Sequence, residues 1–190
     1  MESFFAYISR MRYITRWALM RNTFSENIQE HSHMVAVLAH ALAVIRNEYF
    51  GGSVDEGAVA AAALYHDASE ILTGDLPTPI KYYNPNISNS YKAVEGMAQK
   101  KLLTMLPPEL REHYAPLLAG GTGEEAKIVK AADKLSAYIK CVEEERAGNG
   151  EFREAAEQTR KALDDMDMPE LRYFMEHFMP AFNLTLDELK

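Results

Sequence analysis

Ala60-Ala61-Ala62-Ala63-Leu64-Tyr65-His66-Asp67-Ala68-Ser69-Glu70 is the stretch on which the reading of this chain turns. Its first half is apolar and belongs to a helix that Ser53 or Asp55 can cap and that runs to about Leu72. A histidine followed directly by an aspartate, with a glutamate close behind, is poor material for an ordinary helix surface. It suits a metal site with an acid/base group beside it. Counted along a helix, Glu70 stands four residues after His66 and three after Asp67, which puts it beside both on one face. His66 offers a neutral imidazole and Asp67 a carboxylate oxygen, both suited to borderline divalent metals. Glu70 can lie next to such an ion without binding it and move a proton. The bland alternative is a solvated acidic face with His66 packed beneath it. The apolar flank from Ala60 to Tyr65 argues for burial, where a His-Asp pair without partners would be costly.

Outward from this stretch the chain reads as all-α. Residues 3–13 form a short amphipathic segment, and residues 16–28 are irregular, with Arg16-Trp17 and a turn at Arg21-Asn22-Thr23. A long helix runs from about Gln29 to Asn47 and ends before Gly51-Gly52. Gly74-Asp75-Leu76-Pro77-Thr78-Pro79 breaks the helical pattern with a rigid loop. Helices follow over 87–105, after Pro107-Pro108, from Glu124 to Arg146, and over 151–165 and 169–180, with breaks at residues 120–123 and 148–150. No segment alternates with a sustained period of two, so a sheet is not expected. One domain over 1–190 is the expectation, with a core about 28–140 and C-terminal helices over 150–182, whose Tyr173, Phe174, Phe178 and Phe182 suit a core or an interface.

With 47% hydrophobic residues the chain can bury a sizeable core, and it has no apolar run of the ~18 residues that a membrane helix needs. No secretory pattern opens the sequence. The one cysteine, Cys141, has no internal partner, which fits a reducing compartment, and a cytoplasmic protein is expected. The net charge of −8 argues against a nucleic-acid polymer as ligand, because neutralising many phosphates takes Lys and Arg. A mononucleotide held by one or two cations and a metal stays open.

Two further pieces join the central stretch. In Glu30-His31-Ser32-His33, a turn of ~100° per residue aligns His31 with Met34, Val35, Leu38, Leu42 and Ile45, so His31 faces inward while His33 falls on the other side with His40. Asp133 lies among Val129, Ser136 and Ala137, away from the larger Ile128, Leu135, Tyr138 and Val142. Taken singly, His31 reads as a core histidine and Asp133 as a surface carboxylate paired with Lys130 or Lys134. Taken together, His…His-Asp…Asp on successive helices matches the HD-domain phosphohydrolase pattern.

The chain resembles the YfbR-type 5′-deoxynucleotidases, a branch of that superfamily. The likeness is carried by Arg16-Trp17, Glu30-His31-Ser32, His66-Asp67-Ala68-Ser69-Glu70, the Gly74 to Pro79 loop and Asp133. It implies a single-domain HD-type helical bundle that removes the 5′-phosphate from deoxyribonucleoside monophosphates. One divalent ion, cobalt or manganese, would be held by His31, His66, Asp67 and Asp133, and Glu70 with Asp67 would serve catalysis. Arg16 would orient the phosphate and Trp17 the nucleoside. Asp75, Leu76, Pro77 and Thr78 would hold the sugar, Asp75 selecting the 2′-deoxy form, with His31, Asp67 and Asp133 lining the substrate side. A homodimer is also implied. The chemistry of the residue types agrees: guanidinium grips phosphate in a fork, indole offers a flat apolar face, and a carboxylate accepts from a sugar hydroxyl. Taken without the resemblance, Trp17 reads as a core anchor, Arg16 as a surface cation and the proline loop as a turn. Two other functions stay in play. One is an HD hydrolase of another phosphoester, a nucleoside triphosphate or alarmone, which would want more cations around the site; beyond Arg16, Lys81 and Lys134 are candidates. The other is a non-catalytic metal- or nucleotide-binding module.

Overall fold

The structure, a computed structural model, describes residues 2–77 and 84–189. A short helix α1 (Phe4–Ile8) continues into a 3-10 turn (Ser9–Tyr13). An irregular segment then leads to α2 (Ile28–Phe50), where Asn27 accepts hydrogen bonds from the Gln29 and Glu30 amides and sets the first turn. Gly51, with φ +67°, closes α2 in the left-handed conformation that glycine adopts without a steric cost. Asp55 caps α3 (Glu56–Tyr65) through the Ala58 amide. After a turn comes α4 (Glu70–Thr73). Then follow α5 (Pro85–Leu103), α6 (Pro108–Leu118), α7 (Gly123–Arg146), α8 (Arg153–Asp164) and α9 (Pro169–His177), with proline in the first turn of α5, α6 and α9. Among the described residues the β pairing amounts to one isolated antiparallel bridge, Thr15 with Asn27.

The expected continuous helix to Leu72 does not form. It stops at Tyr65, and the chain passes His66–Ser69 in turns closed by three-residue hydrogen bonds, Ala68 N–H to the Tyr65 carbonyl and Glu70 N–H to the Asp67 carbonyl, both 3.0 Å. The break has a tertiary cause. Ala68 is fully buried in a cluster with Phe4, Met11, Ile28, Leu102, Leu106 and Leu118, away from the main core that holds Val59, Ala62 and Ala63. The chain changes clusters at the His-Asp pair.

That main core is built by α2, α3 and α7. Val35, Leu38, Leu42 and Ile45 of α2 meet Val59, Ala62 and Ala63 of α3 and Ile128, Ala132, Leu135 and Ile139 of α7. The alanines let the three helices approach closely, which brings His31, the end of α3 and Asp133 to one place. The expected inward stripe of α2 holds except at Met34, which is exposed. Leu163, Leu171, Phe174 and Met179 of the C-terminal elements join the same core. No helix among the described residues is long and apolar enough to cross a membrane.

Candidate active site and metal centre

His31, near the start of α2, is fully buried, and its Nδ1 lies 3.2 Å from Ser136 Oγ on α7. Its Nε2 lies 3.1 Å from Asp133 Oδ1 and 3.5 Å from Asp67 Oδ2. His66 caps the C-terminal end of α3. The last carbonyls of a helix lack in-helix donors, and the Ala63 carbonyl accepts from His66 Nδ1 at 2.7 Å. That bond leaves the Nε2 lone pair facing the cluster, 3.2 Å from Asp67 Oδ2 and 3.9 Å from Asp133 Oδ1. Nε2 of His66 is buried and makes no hydrogen bond of acceptable geometry. Two imidazole nitrogens and a carboxylate oxygen, from His31, His66 and Asp133, lie within 4.8 Å of one another.

Asp67 adjoins this set without belonging to its tightest grouping. Its Oδ2 is shared between the two imidazoles and Nη1 of Arg16, 3.5 Å away. The donor set fits a divalent metal: borderline nitrogen and oxygen ligands, both rings anchored through their other nitrogen, and one buried nitrogen with no proper partner. Of the four expected ligands, three converge and the fourth stands at the edge on the Arg16 side.

The charges are strongly coupled. Burial works against a charged His66, but Asp67 and Asp133 and the Ala63 carbonyl outweigh it and lift the ring to about 9. Burial alone would raise Asp67, yet His66, His31 and Arg16 hold it well below the usual carboxylate range. Asp133 is also lowered, against its burial, by its bond to His31 and by the charge of His66. The cluster therefore favours fixed carboxylates around a positive charge, and a metal cation meets the same demand as the proton on His66.

The Arg16 side chain is largely buried, with 12% of its surface exposed. Burial disfavours its charge, but Asp67, Asp133, Glu26 and Asp75 overcome this and push its pKa above the ordinary arginine value. So the Asp75 carboxylate lies within electrostatic reach of Arg16. Trp17 packs on Phe152, ring centroids 5.3 Å apart, and donates its indole N–H to Glu26 Oε2 at 3.1 Å. Leu76 and Pro77 are half-buried, and Thr73 Oγ1 and the Tyr91 hydroxyl both donate to the Gly74 carbonyl, fixing the start of the loop. Thr78, Pro79 and Lys81 lie outside the described residues.

Glu70 is 5% exposed and opens α4, its amide bonded to the Asp67 carbonyl. The expected continuous helix through this stretch is replaced by turns over 66–69, so Glu70 follows Asp67 through a three-residue turn. Three participants were not read from the sequence as such: the Ala63 carbonyl, the Ser136 hydroxyl and Glu26. Ser136 falls on the Asp133 side of its helix, so its face was legible and its bond was not. Gly120 also approaches the site: at φ +74° it lies where an added Cβ would sit 3.6 Å from the His66 Cβ.

The fold is that of the HD-domain phosphohydrolases. A Listeria innocua HD-domain phosphohydrolase superposes with a TM-score of 0.82 at 24% identity, covering 95% of this chain and 88% of that one. A cyanophage S-2L HD phosphohydrolase bound to dA and one catalytic Zn2+ gives 0.64 at 23% identity, covering 95% and 96%. The chain belongs to the YfbR-like 5′-deoxynucleotidase family, whose model matches residues 3–182. A 5′-deoxynucleotidase of Photorhabdus laumondii is 53% identical over 191 residues, spanning 100% of this chain and 97% of that protein. The 5′-deoxynucleotidase YfbR of Escherichia coli is 52% identical over 188 residues, spanning 98% and 94%.

Proposed function

We propose that this chain is a metal-dependent 5′-deoxynucleotidase that hydrolyses deoxyribonucleoside 5′-monophosphates to deoxyribonucleoside and inorganic phosphate. The observation that carries the reading is the convergence of His31, His66 and Asp133 with Asp67 beside them and Arg16 against Asp67, in a chain of this family. His31, His66, Asp67 and Asp133 would hold one divalent ion, with cobalt or manganese favoured by the family resemblance. Such an ion supplies Lewis acidity that makes hydroxide available near neutral pH and offsets phosphate charge.

The remaining roles fall to the side chains. Arg16 presents a planar fork of donors to the phosphate. Trp17 offers an apolar ring to the nucleoside. Asp75 accepts from a sugar hydroxyl and selects the 2′-deoxy form. The oxygen of water attacks phosphorus as the bond to the sugar O5′ breaks. Glu70 takes a proton from the attacking water or delivers one to the departing oxygen. We place the protein in the cytoplasm as a homodimer with one HD-type domain, on the same resemblance. A single guanidinium outside the ligand set favours a monophosphate over a triphosphate.

The test is phosphate release from paired ribo- and deoxyribonucleoside 5′-monophosphates, using metal-stripped protein with cobalt, manganese, magnesium or zinc restored. Metal-dependent release from the deoxy forms, lost in Glu70→Ala, is the expected result. Equal release from ribo forms removes the role given to Asp75. No release with any metal overturns the reading.

A further inference from the structure

Glu26 takes no part in the chemistry above, yet one of its oxygens is bonded to both residues of the substrate grip. Oε2 accepts from Arg16 Nε at 3.0 Å and from Trp17 Nε1 at 3.1 Å. Two neighbours in an extended chain point to opposite sides and would not meet one carboxylate. Here Trp17 has φ +56°, the one non-glycine residue at positive φ among those described, and the alternation is broken. The base of the segment is tied independently. Arg16 N–H donates to the Glu26 carbonyl at 2.9 Å, and Ile28 N–H to the Ile14 carbonyl at 3.0 Å. Its far side is held by Glu144, which accepts from the Thr23 amide and hydroxyl, and by Lys140, which donates to the Phe24 carbonyl. The Glu26 carboxylate is thus not needed to keep the segment in place.

We propose that Glu26 is the positioning residue of the substrate grip. By taking Nε it fixes the plane of the Arg16 guanidinium and turns the Nη edge toward Asp67, and by taking the indole N–H it fixes the Trp17 ring relative to the same point. A planar fork loses less entropy on binding, and so gains more affinity, when its orientation is set beforehand. The role needs an acceptor oxygen at that place and does not need the negative charge. The inference rests on the reading of Arg16 and Trp17 as phosphate and nucleoside contacts.

Three full-length variants, loaded with cobalt, separate geometry from charge. Glu26→Gln keeps an acceptor at the same reach without the charge; Glu26→Asp keeps the charge and withdraws the oxygen; Glu26→Ala removes both. With 2′-deoxyadenosine 5′-monophosphate as substrate, KM rises tenfold or more in the Asp and Ala variants with kcat within about threefold, while the Gln variant stays within threefold of wild type in both. Because Trp17 is the one tryptophan of the chain, intrinsic emission reads its environment directly. The Asp and Ala variants change that emission and the Gln variant keeps it close to wild type. If Glu26→Ala fails to fold, the Gln and Asp variants decide the matter. Wild-type KM in Glu26→Asp, or a Gln variant as impaired as the Asp variant, overturns the inference while the enzyme remains. A wild type that turns over no deoxynucleotide overturns the functional reading and this inference with it.

Discussion

Ser136→Ala should weaken metal binding while leaving the fold nearly intact. His31 is fully buried, with Ser136 Oγ 3.2 Å from Nδ1 and Asp133 Oδ1 3.1 Å from Nε2. Ligation through Nε2 requires the proton on Nδ1, and that proton needs an acceptor, which Ser136 supplies. Without metal the ring has another choice: it can carry the proton on Nε2 and give it to Asp133. Removing the hydroxyl therefore burdens the loaded form more than the free one. Losing such an outer partner costs roughly 10–100-fold in metal affinity, about 1.4–2.8 kcal/mol. This agrees with the ~1–3 kcal/mol cost of a buried donor left without a partner. Cobalt affinity measured by competition with a chromophoric chelator reads the effect directly. The thermal midpoint of metal-free protein, measured alongside, checks that the fold is unchanged. A cobalt Kd within twofold of wild type, in a protein whose Asp133→Ala variant has lost binding, would refute the reasoning.

The latch behind the grip can be tested in the same protein. Lys140 and Glu144 are both buried, 2.5 Å apart, and Lys140 Nζ also sits 3.2 Å from the centre of the Phe24 ring. Lys140→Met leaves a buried carboxylate without its cation and should cost about 3–5 kcal/mol, read as a lower urea midpoint; a loss under about 1 kcal/mol would show that Thr23 and Asn149 suffice for Glu144. The same carboxylate predicts a pH dependence. Burial would raise Glu144, but Lys140, Asn149 and Thr23 bond its charged form and push it down to about 2 from an ordinary value of 4.5. A lowered folded-state pKa gives stability that is complete above 4.5 and is lost as pH falls through 2. The stability gap between wild type and Glu144→Gln should accordingly shrink across that window, and a gap constant with pH would contradict the assignment.

The parts of the site that were legible in the sequence are those fixed by periodicity. His31 faces inward because the apolar stripe of its helix does, and that stripe is a local property of sixteen or so residues. Asp133 reads as a group looking over small residues for the same reason. The end of α3 at Tyr65 was not legible, because the run is rich in alanine and the residue beyond the break, Ala68, packs in a second cluster with Phe4, Leu102 and Leu118 that no local pattern announces. Glu26 was hidden for a different reason. It lies in an irregular segment where no period constrains facing, and its partners are met through a left-handed tryptophan backbone that no propensity would favour. The resemblance named the residues proposed to touch substrate and metal. It was silent about those that hold them.

The helix end at Tyr65 also bears on any attempt to move this site into another scaffold. A regular helix would use the Ala63 carbonyl in its own ladder, since that oxygen would receive the amide four residues later. Here the ladder has run out, and the oxygen is available to orient the imidazole three residues on. A protein engineer who copied His-Asp-Ala-Ser-Glu onto the face of an unbroken helix would transplant the lettering and lose the orienting acceptor. The portable unit is a helix terminus together with the apolar cluster that pulls the next residue away from it.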